Sequence, residues 1–280
     1  MGLDEFTPSA VNLINFLQYE LEHNKREYST LNSFRSAVSS TLGTCAETGK
    51  PVGQAPLVCR FMRGAHRLNP PKTKLFPSWD IVTILNFLKS WGPARKLSLS
   101  QLLKKSAFLV ALVCYKRPAD LYNMRVVKEY WYINSEGFRC QPLGYGKTES
   151  HHPIPPIQIE PFTEEPTLCP VSHLVELDGR LRNLRQRSEN RFWISARAPH
   201  KAVSTRTLSE WLRFVIRKAG LKEGLPREVR SVGVSVAIQS NFDLKQVLAA
   251  GNWQRLSTVR RHYFRPQSLE SLSQILRVAK

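Results

Sequence analysis

Acidic residues are scarce in this sequence: 22 Asp and Glu stand against 41 Lys and Arg, for a net charge of +19. A compact chain that keeps so much like charge calls for a polyanion. Nucleic acid is the first expectation and an anionic membrane surface the second. Long apolar runs are also missing. The longest, 107–114, adjoins Lys104 and Lys105 and falls far short of the roughly 20 residues that cross a bilayer. A membrane-spanning helix is therefore excluded. The first thirty residues lack the basic, apolar and small-residue order of a signal peptide, so secretion is not expected. Cysteines are few, five in all and widely spaced, with no C-x-x-C pair. That excludes a disulfide framework and a thiolate zinc site, and fits reduced thiols. Neither G-x-x-x-x-G-K-[ST] nor G-x-G-x-x-G occurs, which argues against nucleotide-powered or dinucleotide chemistry. No metal and no nucleotide cofactor is expected. What is present, 42% hydrophobic and 10% aromatic residues, is the composition of an ordinary globular chain.

Helical periodicity dominates the N-terminal part. Two helices are predicted between 8 and 43. The first lines one face with Ala10, Ile14, Leu17 and Leu21. The second, 29–42, buries Leu31, Phe34, Val38 and Leu42. It turns Asn32, Arg35, Ser36, Ser39 and Ser40 outward, a short polar surface suited to phosphates that would look the same if merely solvated. A third helix over 56–68 is basic through Arg60, Arg63 and Arg67. Arg35, Ser36, Ser39, Arg60 and Arg63 are thus the candidate DNA contacts of a helical domain, 1–70. Consecutive prolines at Pro70 and Pro71 then stop the helix and stiffen a linker, 71–78. A second domain, 79–280, follows.

In that second domain, 79–91 and 98–115 read as helices, and the latter ends almost wholly apolar, as a buried central helix would. The period then changes. Tyr130-Trp131-Tyr132-Ile133 is a strand, 134–137 a turn, 138–143 a returning strand and 157–159 a third short strand. His151 and His152 precede that strand with no Cys or carboxylate at ligand spacing, and read as a connection, not a metal site. Helices return over 171–186, 204–220, 227–239 and 244–251. A C-terminal helix, 268–280, aligns Leu269, Leu272, Leu276 and Ala279 on a face that needs a partner, either its own domain or a neighbouring protomer. The fold class is mainly α with a small three-stranded antiparallel sheet, in two domains.

Several cations of the second domain fall at structural corners. Arg117 precedes Pro118 where the central helix must end, and Lys147 lies in the Gly-rich turn between the second and third strands. Arg227 and Arg230 open a helix, with Trp253 and Tyr263 beyond. Taken singly, Arg117 caps a helix, Lys147 is a surface lysine, and Trp253 and Tyr263 pack a core. Their joint order resembles the catalytic domain of the tyrosine recombinase (phage-integrase) family: Arg, Lys on a β-turn, His or Lys with Arg three places on, His or Trp, then Tyr. The N-terminal segment resembles that family's helical core-binding domain by arrangement. Within the family the resemblance is closest to DIRS and Ngaro type retrotransposon recombinases. It is carried by Arg117-Pro-Ala-Asp-Leu121, by Leu168-Cys-Pro-Val171, and by Ala250-Gly-Asn-Trp-Gln-Arg-Leu-Ser-Thr258 running into His262-Tyr263-Phe-Arg-Pro266.

The resemblance implies metal-free cleavage of a DNA phosphodiester. Such chemistry needs a nucleophile, neutralisation of two non-bridging oxygens and a proton for the departing 5′ oxygen. Tyr263 would attack and hold the strand as a 3′-phosphotyrosine. Arg117 and Arg230 would clamp the phosphate with bidentate forks, Lys147 would protonate the leaving group, and Trp253 would pack on the phosphate or donate to it. Asp120 would orient a cation from behind. Two departures stand out. Arg227 occupies the usual His or Lys position, and a guanidinium cannot act as a base. The Trp253 to Tyr263 interval is one residue longer than the commonest spacing, so His262 sits in the usual register and is the reserve candidate for a phosphate contact. The partners implied are double-stranded DNA and a homotetramer joined through 268–280, and residence would be nuclear if the element is eukaryotic, otherwise cytoplasmic. The rival readings are a catalytically inactive DNA-binding protein that keeps the fold and, more remotely, a membrane-surface protein.

Overall fold

The computed structural model of the protein describes residues 9–45, 48–70, 79–143 and 155–265. Lys147, His151, His152, the 71–78 linker and the 268–280 helix fall outside them. The chain divides into two compact units, Met1–Leu75 and Phe76–Lys280.

In the first unit, the hydroxyl of Ser9 caps α1 (Ala10–Glu22) by accepting from the Asn12 N–H. α2 (Tyr28–Leu42) follows, and α3 (Pro56–Leu68) starts with its proline at the position where no N–H is required. Leu13, Leu17, Leu31, Val58, Met62 and Ala65 form the core between the three helices, closed by Cys45 and Val52. A short hairpin, β1 (Thr44–Cys45) and β2 (Lys50–Pro51), was not legible in the sequence, and it leads into a single 3₁₀ turn, Val52–Gln54.

That turn gives Arg35 and Ser39, two of the candidate DNA contacts, a structural task as well. It lies against α2, where Arg35 Nη1 donates to the Gly53 carbonyl at 3.2 Å and Ser39 Oγ accepts from the Gly53 N–H at 3.0 Å. The approach is close enough that a Cβ on Gly53 would meet Ser39 Cβ at 2.8 Å. Arg35 and Ser39 hold the fold together there, and Ser36 Oγ donates to the Asn32 carbonyl of its own helix. Arg60 and Arg63 stand exposed on α3.

In the second unit, Asp80 caps α4 (Ile81–Ser90), and a 3₁₀ turn, Ala94–Lys96, leads to α5 (Leu99–Val113), capped by a reciprocal Ser98–Gln101 pair. α6 (Pro118–Tyr122) follows α5 directly. β3 (Trp131–Asn134), β4 (Gly137–Cys140) and β5 (Ile157–Ile159) make an antiparallel sheet in the order β3-β4-β5. One face carries Ile133, Phe138 and Ile159 in register toward the core, and the other exposes Tyr132, Arg139 and Gln158. Then come α7 (Pro170–Arg182), α8 (Thr205–Lys218), α9 (Glu228–Gln239), α10 (Leu244–Gly251) and α11 (Leu256–His262).

α5 is the axis of this unit. Apart from Lys104 it is buried from Leu102 to Leu112, and α7, α8 and α9 pack around it. The α9 approach is tightest at Gly233, where a Cβ would lie 2.3 Å from the Leu112 carbonyl. Besides the main core, a smaller cluster of Tyr115, Val234, Ala237, Val247 and Val259 joins α9, α10 and α11, with Trp253 and Tyr263 packed on its edge.

One cation lies wholly inside the main core. Lys105 donates to the carbonyls of Leu88 at 2.7 Å and Gly92 at 2.9 Å, satisfying the end of α4, and burial lowers its pKa to about 8. Between about pH 8 and the ordinary value of 10.5 the unfolded chain binds this proton and the folded chain does not, so folding is favoured as pH rises. Denaturation of wild type and Lys105→Met should therefore diverge across that window, with wild type gaining stability relative to the variant. Parallel pH curves would contradict it.

Candidate active site

The turn after α5 aims the first functional side chain. α5 ends at Val113, Tyr115 adopts φ 53°, and Arg117 becomes the N-cap of α6, with Pro118 as its first residue. Asp120 accepts from the Arg117 backbone N–H at 2.7 Å, fixing the cap. The Arg117 side chain leaves the turn half-buried and donates from Nη2 to the Tyr263 hydroxyl at 2.5 Å.

Arg230 enters from the first turn of α9 and is 4% exposed. Nη1 faces Asp120 Oδ2 at 3.5 Å and Nη2 donates to the Gly251 carbonyl at the end of α10. Its guanidinium carbon lies 4.1 Å from the centre of the Trp253 ring and 5.0 Å from that of Tyr263, while that of Arg117 is 6.0 Å from the Tyr263 ring. Two guanidinium groups from positions 113 residues apart in sequence thus converge on one phenol. Asp120 braces both, one through its backbone and one through its side chain.

Tyr263 ends α11, and its ring packs 4.9 Å from that of Trp253. Ser235 of α9 secures the chain beyond it by accepting the Arg265 N–H at 2.7 Å. Burial works against ionisation of the phenol. The Arg117 hydrogen bond and the charges of Arg230 and Arg117 outweigh it, and the Tyr263 pKa is held below the ordinary tyrosine value. Burial, and then the Arg117 charge, lower the Arg230 pKa to about 10, which leaves it charged at neutral pH. Arg230 Nε is a buried donor with no hydrogen-bond partner, and buried Trp253 Nε1 makes no hydrogen bond of normal geometry, although it lies near enough to the Tyr263 oxygen to help hold that pKa down. Buried donors of this kind are costly unless something accepts from them.

Arg117, Arg230 and Tyr263 open into a cavity of about 540 Å³ that Arg227 and His262 also line. Arg227 is exposed beside buried Glu228, whose carboxylate accepts from Trp79 Nε1 at 2.8 Å and the Leu225 N–H at 2.9 Å and so anchors the start of α9. Lys116, Ser231 of α9, and Ser209 and Arg213 of α8 also line the cavity, and no motif in the sequence marked them. Lys147 lies outside the described residues. A larger hollow, about 770 Å³, lies at the exposed side of the sheet and is lined by none of these groups.

No protein-family model matches the sequence, and no curated protein matches it significantly. Solved structures do. The chain superposes on the XerH site-specific recombinase in its post-cleavage complex with palindromic difH substrate at a TM-score of 0.62 and 14% identity, covering 96% of this chain and 69% of that one. The Tn1549 transposon integrase in complex with transposon right end DNA gives a TM-score of 0.61 at 9% identity, with 100% and 88% covered. The same integrase with circular intermediate DNA gives 0.56 at 11% identity, with 96% and 85% covered. At these identities the shared property is the fold, and it is the fold of tyrosine recombinases.

Proposed function

We propose that this protein is a tyrosine recombinase that cleaves and rejoins duplex DNA, of the kind carried by DIRS and Ngaro type mobile elements. The observation that supports it best is the convergence of Arg117 and Arg230 on the Tyr263 side chain, the first bonded to its hydroxyl and the second beside its ring. In this reading the Tyr263 oxygen attacks the scissile phosphorus, the bond from phosphorus to the 5′ oxygen breaks, and the strand is held as a 3′-phosphotyrosine. The phenol proton leaves to solvent, and the 5′ oxygen takes a proton from Lys147. Attack by a 5′ hydroxyl reverses the step, so strand joining needs no external energy. Arg117, Arg230 and the Trp253 indole N–H supply donors to the non-bridging oxygens, and Arg227 neutralises charge without moving a proton. A tetramer joined through 268–280 and nuclear residence belong to the same proposal.

One observation favours a second reading, a DNA-binding protein that has lost cleavage: the exposed guanidinium of Arg227 stands where a proton-transferring His or Lys would serve. One experiment separates the two. A binding site selected from randomised duplex is nicked just beyond the candidate crossover, so that the short 5′ product diffuses away and traps any intermediate. Covalent capture on a denaturing gel is expected. Binding that falls steeply with salt, with no capture at any nick position, would select the second reading.

A further inference from the structure

Lys116 is next to Arg117 in the chain, yet its side chain serves a different element. α5 closes with Tyr115 in the left-handed region and the Lys116 N–H returning to the Ala111 carbonyl at 3.0 Å, a conformation that glycine ordinarily fills. The turn sends three consecutive side chains toward the end of α10 and the residues beyond it. The Tyr115 ring comes within 6.4 Å of the Trp253 ring, Lys116 Nζ donates to the Ala250 carbonyl at 2.8 Å, and Arg117 reaches Tyr263.

Ala250 and Gly251 are the last residues of α10, and their adjacent carbonyls are each taken by a buried cation: Lys116, 4% exposed, on the first and Arg230 on the second. A helix C-terminus is where the backbone dipoles favour positive charge. The same turn carries Trp253. Its backbone N–H donates to the Leu248 carbonyl at 2.9 Å, and the Gly251 Cα is pressed so closely on the indole that a Cβ would lie 1.7 Å from the ring. Where the last turn of α10 is held therefore decides where Trp253 stands, and with it the face against which Arg230 and Tyr263 pack. Burying an ammonium is expensive, and an apolar side chain would fill the same space at lower cost. Burial indeed lowers the Lys116 pKa below that of an ordinary lysine.

We propose that Lys116 is a positioning residue of the cleavage site: its ammonium ties down the last turn of α10 so that Trp253 and Arg230 meet Tyr263 in the geometry that strand cleavage needs. The inference rests on the recombinase reading of this site.

The full-length chain and its Lys116→Met and Lys116→Arg variants test it in two measurements. In single-turnover cleavage of the nicked duplex, Lys116→Met should be slower by about tenfold or more with unchanged noncovalent DNA affinity, and Lys116→Arg, which keeps a charged donor, should recover most of the rate. In hydrogen exchange, the Asn252 and Trp253 amides should lose protection by about tenfold in Lys116→Met while α5 keeps its protection. Unchanged exchange at Asn252 and Trp253 overturns the tie whether or not any variant cleaves. Protection lost throughout α5 makes the role one of folding alone and also overturns the proposal. Full-rate cleavage by Lys116→Met overturns it while leaving the recombinase reading intact, whereas wild type that binds DNA without ever joining it fails both.

Discussion

Tyr263→Phe should bind DNA as wild type does and should never become joined to it. The phenyl ring keeps the packing against Trp253 at 4.9 Å and the Arg230 guanidinium at 5.0 Å, so the fold around the site persists. The oxygen that would attack phosphorus is gone, and no graded loss is expected: covalent capture should drop by at least about 10³-fold, below detection on a gel. His262 is the instructive control because it lines the same cavity one residue away. Its side chain is exposed, and His262→Ala should keep capture within a few-fold of wild type. The opposite pattern, capture by Tyr263→Phe and none by His262→Ala, would move the nucleophile to His262.

Arg117→Ala carries the second large effect, and its pH dependence is the diagnostic part. Arg117 makes the hydrogen bond that helps hold the Tyr263 pKa down, and in the proposed mechanism it is also a forked donor for the phosphate. Loss of one preorganised donor to a developing oxyanion costs about 10²- to 10³-fold in rate, and cleavage at neutral pH should fall by at least that much. Without its neighbour the phenol pKa rises, so the fraction ionised at a given pH falls and the rise of rate with pH moves to higher pH. Part of the loss is then recovered in alkaline buffer. Arg117→Lys, which keeps charge but not the planar fork, should fall between the two. A single-turnover pH–rate series checks this, and an unshifted profile for Arg117→Ala would mean that Arg117 does not tune the nucleophile.

Much of this site was legible in the sequence because its cations stand where backbone rules fix the chain. Arg117 precedes a proline at a helix boundary and Arg230 lies in the first turn of a helix, so both are placed by capping before any packing is known. The apolar stretch that marked α5 as central was equally plain, since a helix buried nearly all round cannot be amphipathic. Other features depend on contacts that sequence spacing does not encode. α11 has only Val259 buried and offers no apolar stripe. α6 is barely one turn long. Lys116 points at α10 because Tyr115 adopts a left-handed conformation that a tyrosine does not advertise. The bonds of Arg35 and Ser39 to Gly53 could not be read from spacing because the hairpin that returns a tight turn onto α2 was itself unseen.

The central claim is that Tyr263 forms the bond to DNA, and peptide mapping tests it most directly. Wild-type chain captured on the nicked duplex is digested with nuclease and protease, and the residue carrying the remaining nucleotide is located by mass spectrometry. The account predicts a 3′-phosphoryl nucleotide on the Tyr263 oxygen and on no other residue; a nucleotide on His262, or on any tyrosine elsewhere in the chain, would contradict it.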